Sequence, residues 1–318
     1  MGQPQYSVED LIANIKRRCA VPTSQLTYTP EDFTLLASDE MQDIVVPLIM
    51  STREEMFVDF YDIPTPADRI IPFPPETVGN KIRSVCYVQQ SSPLILINLP
   101  RIDLDVVAGV GFSNLATLAG FYIQGNDLVL YPNTSVPVGT MIRIYFYRRT
   151  LVLADPSSYG RVVSVDPNTN TIVLDFMPLA WGIGTLLNAV SQTTPFRTVN
   201  DEMEIVNVSS PSVILNNVDD ISVGDYISQK GFSAIPQIPI EAHPYLAQLT
   251  AAKALEGLGD RAGEEAAAAK AEKMKSALLV MISQRVDGSV KKIVNPSGGL
   301  RFNATIGRWG GGWGGSTY

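Results

Sequence analysis

From Pro64 to about Pro239 the chain consists of short runs of β-branched and aromatic residues broken by proline and glycine, while the stretches on either side place apolar residues at helical spacing. A side-chain period of 2 and one of about 3.6 cannot be served by one backbone conformation, so the chain must change architecture twice. The predicted strands are Val85–Tyr87, Leu94–Leu99, Phe121–Ile123, Leu128–Tyr131, Met141–Tyr147, Arg161–Val165, Thr171–Phe176, Glu204–Val208, Val213–Leu215 and Tyr226–Ser228. Gln124-Gly125-Asn126-Asp127 and Asp166-Pro167-Asn168-Thr169-Asn170 read as hairpin turns, because glycine and Asx residues tolerate the positive φ such turns need. Strands this short and evenly spaced predict a sandwich or a small barrel.

The flanks carry helix signals. Ser7-Val8-Glu9-Asp10 is a capping box, and Val8, Leu11, Ile12, Ile15 and Cys19 follow at helical spacing. Thr29-Pro30-Glu31-Asp32 starts a second helix with a cap, a first-turn proline and first-turn acids; Phe33, Leu36, Met41, Ile44, Val45, Leu48 and Ile49 form its stripe. Pro47 interrupts this run and predicts a kink or a break, with a further helix over about Ser51 to Tyr61. Helix returns near Glu241 and runs to about Gln284, broken at Leu258-Gly259-Asp260.

The chemistry on offer is sparse. A chain of 318 residues with a single histidine, His243, cannot build a His-rich zinc site, and a Ser/His/Asp triad would have to use that one residue. Gly109-Val-Gly111 and Gly182-Ile-Gly184 are never completed to a dinucleotide fingerprint, and no phosphate loop occurs. Acidic pairs at Asp103/Asp105, Asp219/Asp220 and Asp201/Glu202/Glu204 read as turns and strand edges. The expectation is no catalytic residue, no metal and no cofactor. A net charge of −8 disfavours a general duplex-DNA surface, whose affinity comes from many cationic contacts. Cys19 and Cys86 read as reduced, buried thiols. No apolar run approaches a membrane span, and MGQPQYSVED has no basic stretch before an apolar one. Charged residues make up only 18%, below the usual value of about 25%, as expected where partners cover part of the surface.

The C-terminus differs again. From Arg285 onward, Arg285, Lys291, Lys292, Arg301 and Arg308 face one acid, Asp287, for a local charge of +4; eight of 24 glycines and two of three tryptophans lie after residue 296. Arg301, Phe302, Arg308, Trp309 and Trp313 offer large anchors on a glycine-rich segment, a composition suited to docking on another protein.

Helical flanks around a β-rich insertion, with a tail, resemble the head-to-tail connector (adaptor) proteins of tailed bacteriophages. The residues that carry the resemblance are PEDFTLLASDEMQDIVVPLIMSTREEMFVDFYDIP, then PIEAHPYLAQLTAAKALEGLGDRAGEEAAAAKAEKMKSALLVMISQRVDG with its KKIVNP continuation, and VGDYISQKGFSAIPQIP, which is similar to the strand that closes the insertion in such adaptors. Pro47 and the Gly/Trp-rich terminus depart from the pattern. The expected fold class is α+β: an α-helical bundle formed by residues 1–63 and 240–285, a large β-rich barrel or sandwich domain inserted at 64–239, and an extended docking tail at 286–318. The resemblance implies a structural, non-enzymatic virion protein of the neck, assembled in the host cytoplasm. It implies a homo-oligomeric ring of twelve subunits that contacts the portal protein and a tail or nozzle protein, with genomic DNA passing through the channel and no membrane. It also implies that Arg301, Phe302, Arg308, Trp309 and Trp313 dock on the portal. A receptor- or carbohydrate-binding tail or fibre-attachment protein would account for the β region, yet gives no reason for the helical flanks.

Overall fold

Local capping starts the first two helices where the sequence places them. In this computed structural model, which describes residues 6–20, 27–103, 120–131 and 136–283, helix α1 spans Val8–Cys19. The Ser7 hydroxyl accepts from the Asp10 amide, and Val8, Leu11, Ile12, Ile15 and Cys19 are buried. Helix α2, Pro30–Glu40, opens with a complete capping box between Thr29 and Asp32. It passes through a π-helical turn at Met41–Val45 into α3, Val46–Thr52, with Pro47 in the first turn of α3. The Val46 amide reaches back to the Met41 carbonyl. Widening the helix there accommodates a residue that has no N–H and whose ring crowds the carbonyl four residues earlier.

The helix expected over Ser51 to Tyr61 does not form. After a 3₁₀ turn at Glu54–Phe57 the chain becomes strand β1, Val58–Pro64, paired antiparallel with β7, Met141–Arg148, from Val58↔Tyr147 to Pro64↔Met141. Its Val, Phe, Tyr and Ile residues suit a pleated surface, and a distant partner strand supplies the ladder that no local signal announced.

The β region is two bodies. In the first, a four-stranded sheet of β1, β7, β3 (Thr77–Ser91) and β4 (Leu94–Leu99) faces a three-stranded sheet of β2 (Ile70–Pro72), β6 (Asp127–Tyr131) and β5 (Gly120–Gln124). Ile71, Val85, Leu99, Phe121, Leu128, Leu130, Val136, Ile142 and Ile144 fill the space between them. The second body is a closed antiparallel barrel of β9 (Tyr159–Asp166), β10 (Thr171–Leu174), β13 (Ser212–Leu215), β12 (Thr198–Ser209), β11 (Leu186–Val190) and β14 (Tyr226–Gln229). Alternate residues point inward: Ile172 and Leu174, Leu187 and Ala189, Met203 and Ile205, Val213 and Leu215, with Trp181 from the β10–β11 loop packed among them. Register shifts in β10, β11 and β12 supply the bends a closed ring of strands requires. At Gly160 a Cβ would strike the Phe176 carbonyl, so the residue must be glycine for the chain to pass this closely. Short strands β8 (Val152–Leu153) and β15 (Phe232–Ser233) pair in parallel and tie together the chain entering and leaving the barrel.

Helix returns as α4, His243–Leu258, and α5, Arg261–Ile282, separated by Gly259 at φ 75°, a left-handed cap that glycine adopts without strain. Helix α4 lies against α1, α2 and α5 and is buried around most of its circumference, including Gln248 and Thr250. Gln248 accepts from Arg18 and donates to the Ala267 carbonyl.

The expectation of an α-helical bundle built by the two flanks around one inserted β domain is overturned. The core that the helices line also contains Leu153, Ala154, Tyr159, Val190, Phe196, Tyr226, Ala234, Ile235 and Ile238, all from the β region and its exit. The reason is geometric: α5 contributes a narrow stripe of Ala267, Ala271, Leu278 and Ile282, too small to roof α1, α2 and α4, and chain from the barrel's base closes the gap. The described residues up to Ser283 belong to one compact unit.

Candidate functional site

Among the described residues, no catalytic arrangement gathers around those singled out by chemistry. His243 is buried in the helical core, edge-on to Tyr6 and tilted against Phe196, with its Nε2 3.3 Å from the Ile238 carbonyl. Burial lowers its pKa to about 4, which keeps the imidazole neutral. Cys19 and Cys86 are buried and unpaired, and burial raises the Cys19 thiol to about 11. Asp219 and Asp220 sit in a turn, with Asp220 at φ 63°; Gly182 and Gly184 lie in the loop before β11. Asp105, Gly109 and Gly111 fall outside the described residues, as do Arg301, Phe302, Arg308, Trp309 and Trp313. Among the described residues no group of three His, Cys, Asp or Glu side chains is placed to hold a metal ion.

Two surfaces stand out instead. The first is the outer face of α5. Ala262, Ala266, Ala269, Ala277 and Val280 recur at spacings that place them on one side of the helix, and all are exposed. Val280 is 56% exposed and its neighbour Met281 58%. Glu265 and Glu272 lie on one shoulder of this stripe, Lys270 on the other, with Lys273 within it.

The second is a groove of about 550 Å³ between the sandwich and the barrel. One wall is strand β1 at Asp59, Phe60 and Tyr61, with Phe146 of β7 behind it; the second is Pro72-Phe73-Pro74-Pro75-Glu76; the third is Thr198–Glu202 of β12. Three prolines fix φ along their wall, and the Pro74 carbonyl is held by both the amide and the hydroxyl of Thr77.

Asp59 lies 3.8 Å from buried Arg148 and 3.6 Å from Arg197. The Arg148 Nη1 is buried with no hydrogen-bond partner among the described residues. Burial pushes the Glu76 carboxyl above the usual carboxylate range, opposed by Arg148 and reinforced by Asp201 and Asp59. Asp201 and Glu202 face the groove without a cationic partner within salt-bridge distance among the described residues. On the same sheet, Arg143 forms a bidentate pair with Asp62 at 2.7 and 2.6 Å while its guanidinium lies 4.2 Å from the centre of the Phe60 ring.

In the sequence Asp201 and Glu202 are carboxylates and the proline run is punctuation; nothing in their spacing joins the two, since 126 positions separate Pro75 from Asp201. The polar knot at the barrel's base has no signal in the sequence either. There Asn188 donates to the Phe232 carbonyl, Ser228 donates to Asn188, and Gln237 donates to the Phe196 carbonyl and Thr198 while accepting from the Leu151 amide. No protein-family model matches the chain, and no curated protein matches it.

Proposed function

We propose that the chain is a structural head-to-tail adaptor of a tailed bacteriophage. It assembles as a ring, of twelve copies by the resemblance, in the neck of the virion. There it contacts the portal on one side and a tail or nozzle protein on the other, while genomic DNA passes through the channel. The segment 286–318, with Arg301, Phe302, Arg308, Trp309 and Trp313, is the arm proposed to reach the portal. The reading assigns no catalytic step and no cofactor.

The observation that carries the oligomer is the outer face of α5. Besides the exposed charges Glu265, Lys270, Glu272 and Lys273, this helix turns Ala262, Ala266, Ala269, Ala277 and Val280 outward. Small side chains let a neighbouring backbone approach closely. An acidic shoulder opposite a basic one suits a head-to-tail contact, the kind that generates rings. A net charge of −8 per copy favours a channel that repels phosphate rather than gripping it.

Negative-stain microscopy of the purified chain, alone and mixed with portal, tests this reading. Rings are expected, and Ala269→Glu should leave folded monomers. A chain that stays monomeric in both preparations overturns the proposal.

A further inference from the structure

We propose that the groove between the sandwich and the barrel is a docking site for an extended segment of a partner protein that carries arginine beside an aromatic residue. The inference rests on the groove alone and stands whether or not the chain forms a ring.

Three features define the occupant. Tyr61, Phe73 and Phe146 give the groove aromatic character, the Phe60 ring being covered by Arg143, and Asp59, Glu76, Asp201 and Glu202 add four carboxylates. Arg148 and Arg197 approach Asp59, so negative charge remains at Asp201 and Glu202. Aromatic faces beside carboxylates are complementary to a guanidinium, which stacks on a ring and donates two parallel hydrogen bonds to one carboxylate. A lysine ammonium makes neither contact as well. The protein itself supplies the precedent a few residues away, where Arg143 lies over Phe60 and forks onto Asp62.

The shape calls for an extended chain. Strand β1 is the edge of its sheet and lines the groove, with its Phe60 amide donating to the Asp59 carboxylate and its Val58 carbonyl accepting from Arg197, so an incoming segment lies along it and is held by side chains. The Pro72–Pro75 wall is stiff before anything binds, which lowers the ordering cost of association.

The test is fluorescence anisotropy on the full-length chain with a labelled glycine-rich decapeptide carrying two Arg-Trp pairs. Saturable binding is expected, weakened by added salt. The D201N/E202Q double variant should bind roughly tenfold more weakly. Tyr61→Ala, a change at an exposed ring, should weaken binding by a similar factor while the melting temperature stays within a few degrees, and a peptide with lysine in place of arginine should lose several-fold. Absence of saturation overturns the proposal, as does equal affinity for the parent chain and both variants. Tighter binding to the R301A/R308A variant also overturns it, because it would assign the groove to this chain's own C-terminal segment.

Discussion

The barrel draws its core from one continuous stretch, Tyr159–Gln229, and closes it within its own strands; the helical body draws its core from Val8 to Ile282 and includes residues of the barrel's base. Both enclose fully buried side chains, yet only the barrel's core residues all fall within one segment of the chain. The difference teaches that helical flanks with good apolar stripes need not be a domain. A closed sheet satisfies its backbone and its core together, whereas a few amphipathic helices leave an open side that other chain must cover.

The sharpest way to break this comparison is excision. Removing residues 65–238 and joining the ends with a short Gly/Ser linker takes Leu153, Tyr159, Val190, Phe196, Tyr226, Ala234, Ile235 and Ile238 out of the helical core. We expect the product to lose cooperative melting by circular dichroism, while the excised barrel, residues 154–235, keeps it. A cooperatively melting helical remnant would restore the independent bundle.

Single truncations come next. Phe33→Ala, at a fully buried site of the shared core, should cost about 4 kcal/mol in urea unfolding, and Ile172→Ala in the barrel about 3 kcal/mol. If the barrel's core is self-contained, Phe33→Ala leaves the barrel's own transition nearly unmoved, whereas Ile172→Ala also shifts the helical midpoint, because Tyr159, Val190 and Tyr226 of the barrel strands lie in the helical core.

His243 gives the helical body a pH dependence. Burial holds the folded imidazole neutral with a pKa near 4, while the unfolded chain takes up a proton at the ordinary value of 6.5. The contribution is therefore full above about pH 6.5 and is lost as pH falls toward 4, a decline of about 3 kcal/mol. His243→Phe should remove that part of the slope in denaturant titrations between pH 4 and 7; an unchanged slope would show that the histidine is not held neutral.

Gln237→Leu should cost roughly 2 kcal/mol, because the Leu151 amide and the Phe196 carbonyl lose their partner at the junction between body and barrel. The smallest effect is expected from Arg143→Lys on the sandwich. The pair with Asp62 is partly solvated, so a double-mutant cycle should return under about 1 kcal/mol despite its short distances.

The comparison also explains what could be read beforehand. The Gln124–Asp127 hairpin and the strands it joins form where expected, because a two-residue turn with Gly125 at φ 63° is a local event. Strand β11 has no counterpart among the predicted strands: Leu186–Val190 follows a Gly-rich loop, and it is a strand because β12 and β14 pair on either side. Strand β12 begins at Thr198 and not Glu204, since Thr198 and Asn200 find partners in β11. Of the groove, only single residues were legible. Asp201 and Glu202 are ordinary exposed acids until the sandwich places Phe60, Tyr61 and the proline wall opposite them.

What the sequence determined by itself is where α1, α2 and α5 begin and where α4 ends: Ser7, Thr29 and Asp260 accept from amides three residues on, Gly259 takes the left-handed cap, and the distances involved are shorter than one turn. What only the tertiary structure decided is that Val58–Pro64 is a strand, that one β-rich stretch divides into a sandwich and a barrel, and that helix and barrel share a core. Each of those outcomes depends on partners remote in the chain, as Val58 depends on Tyr147. Pairing of that kind is settled by which apolar faces can be buried together, a property of the whole assembly of elements and of no local stretch.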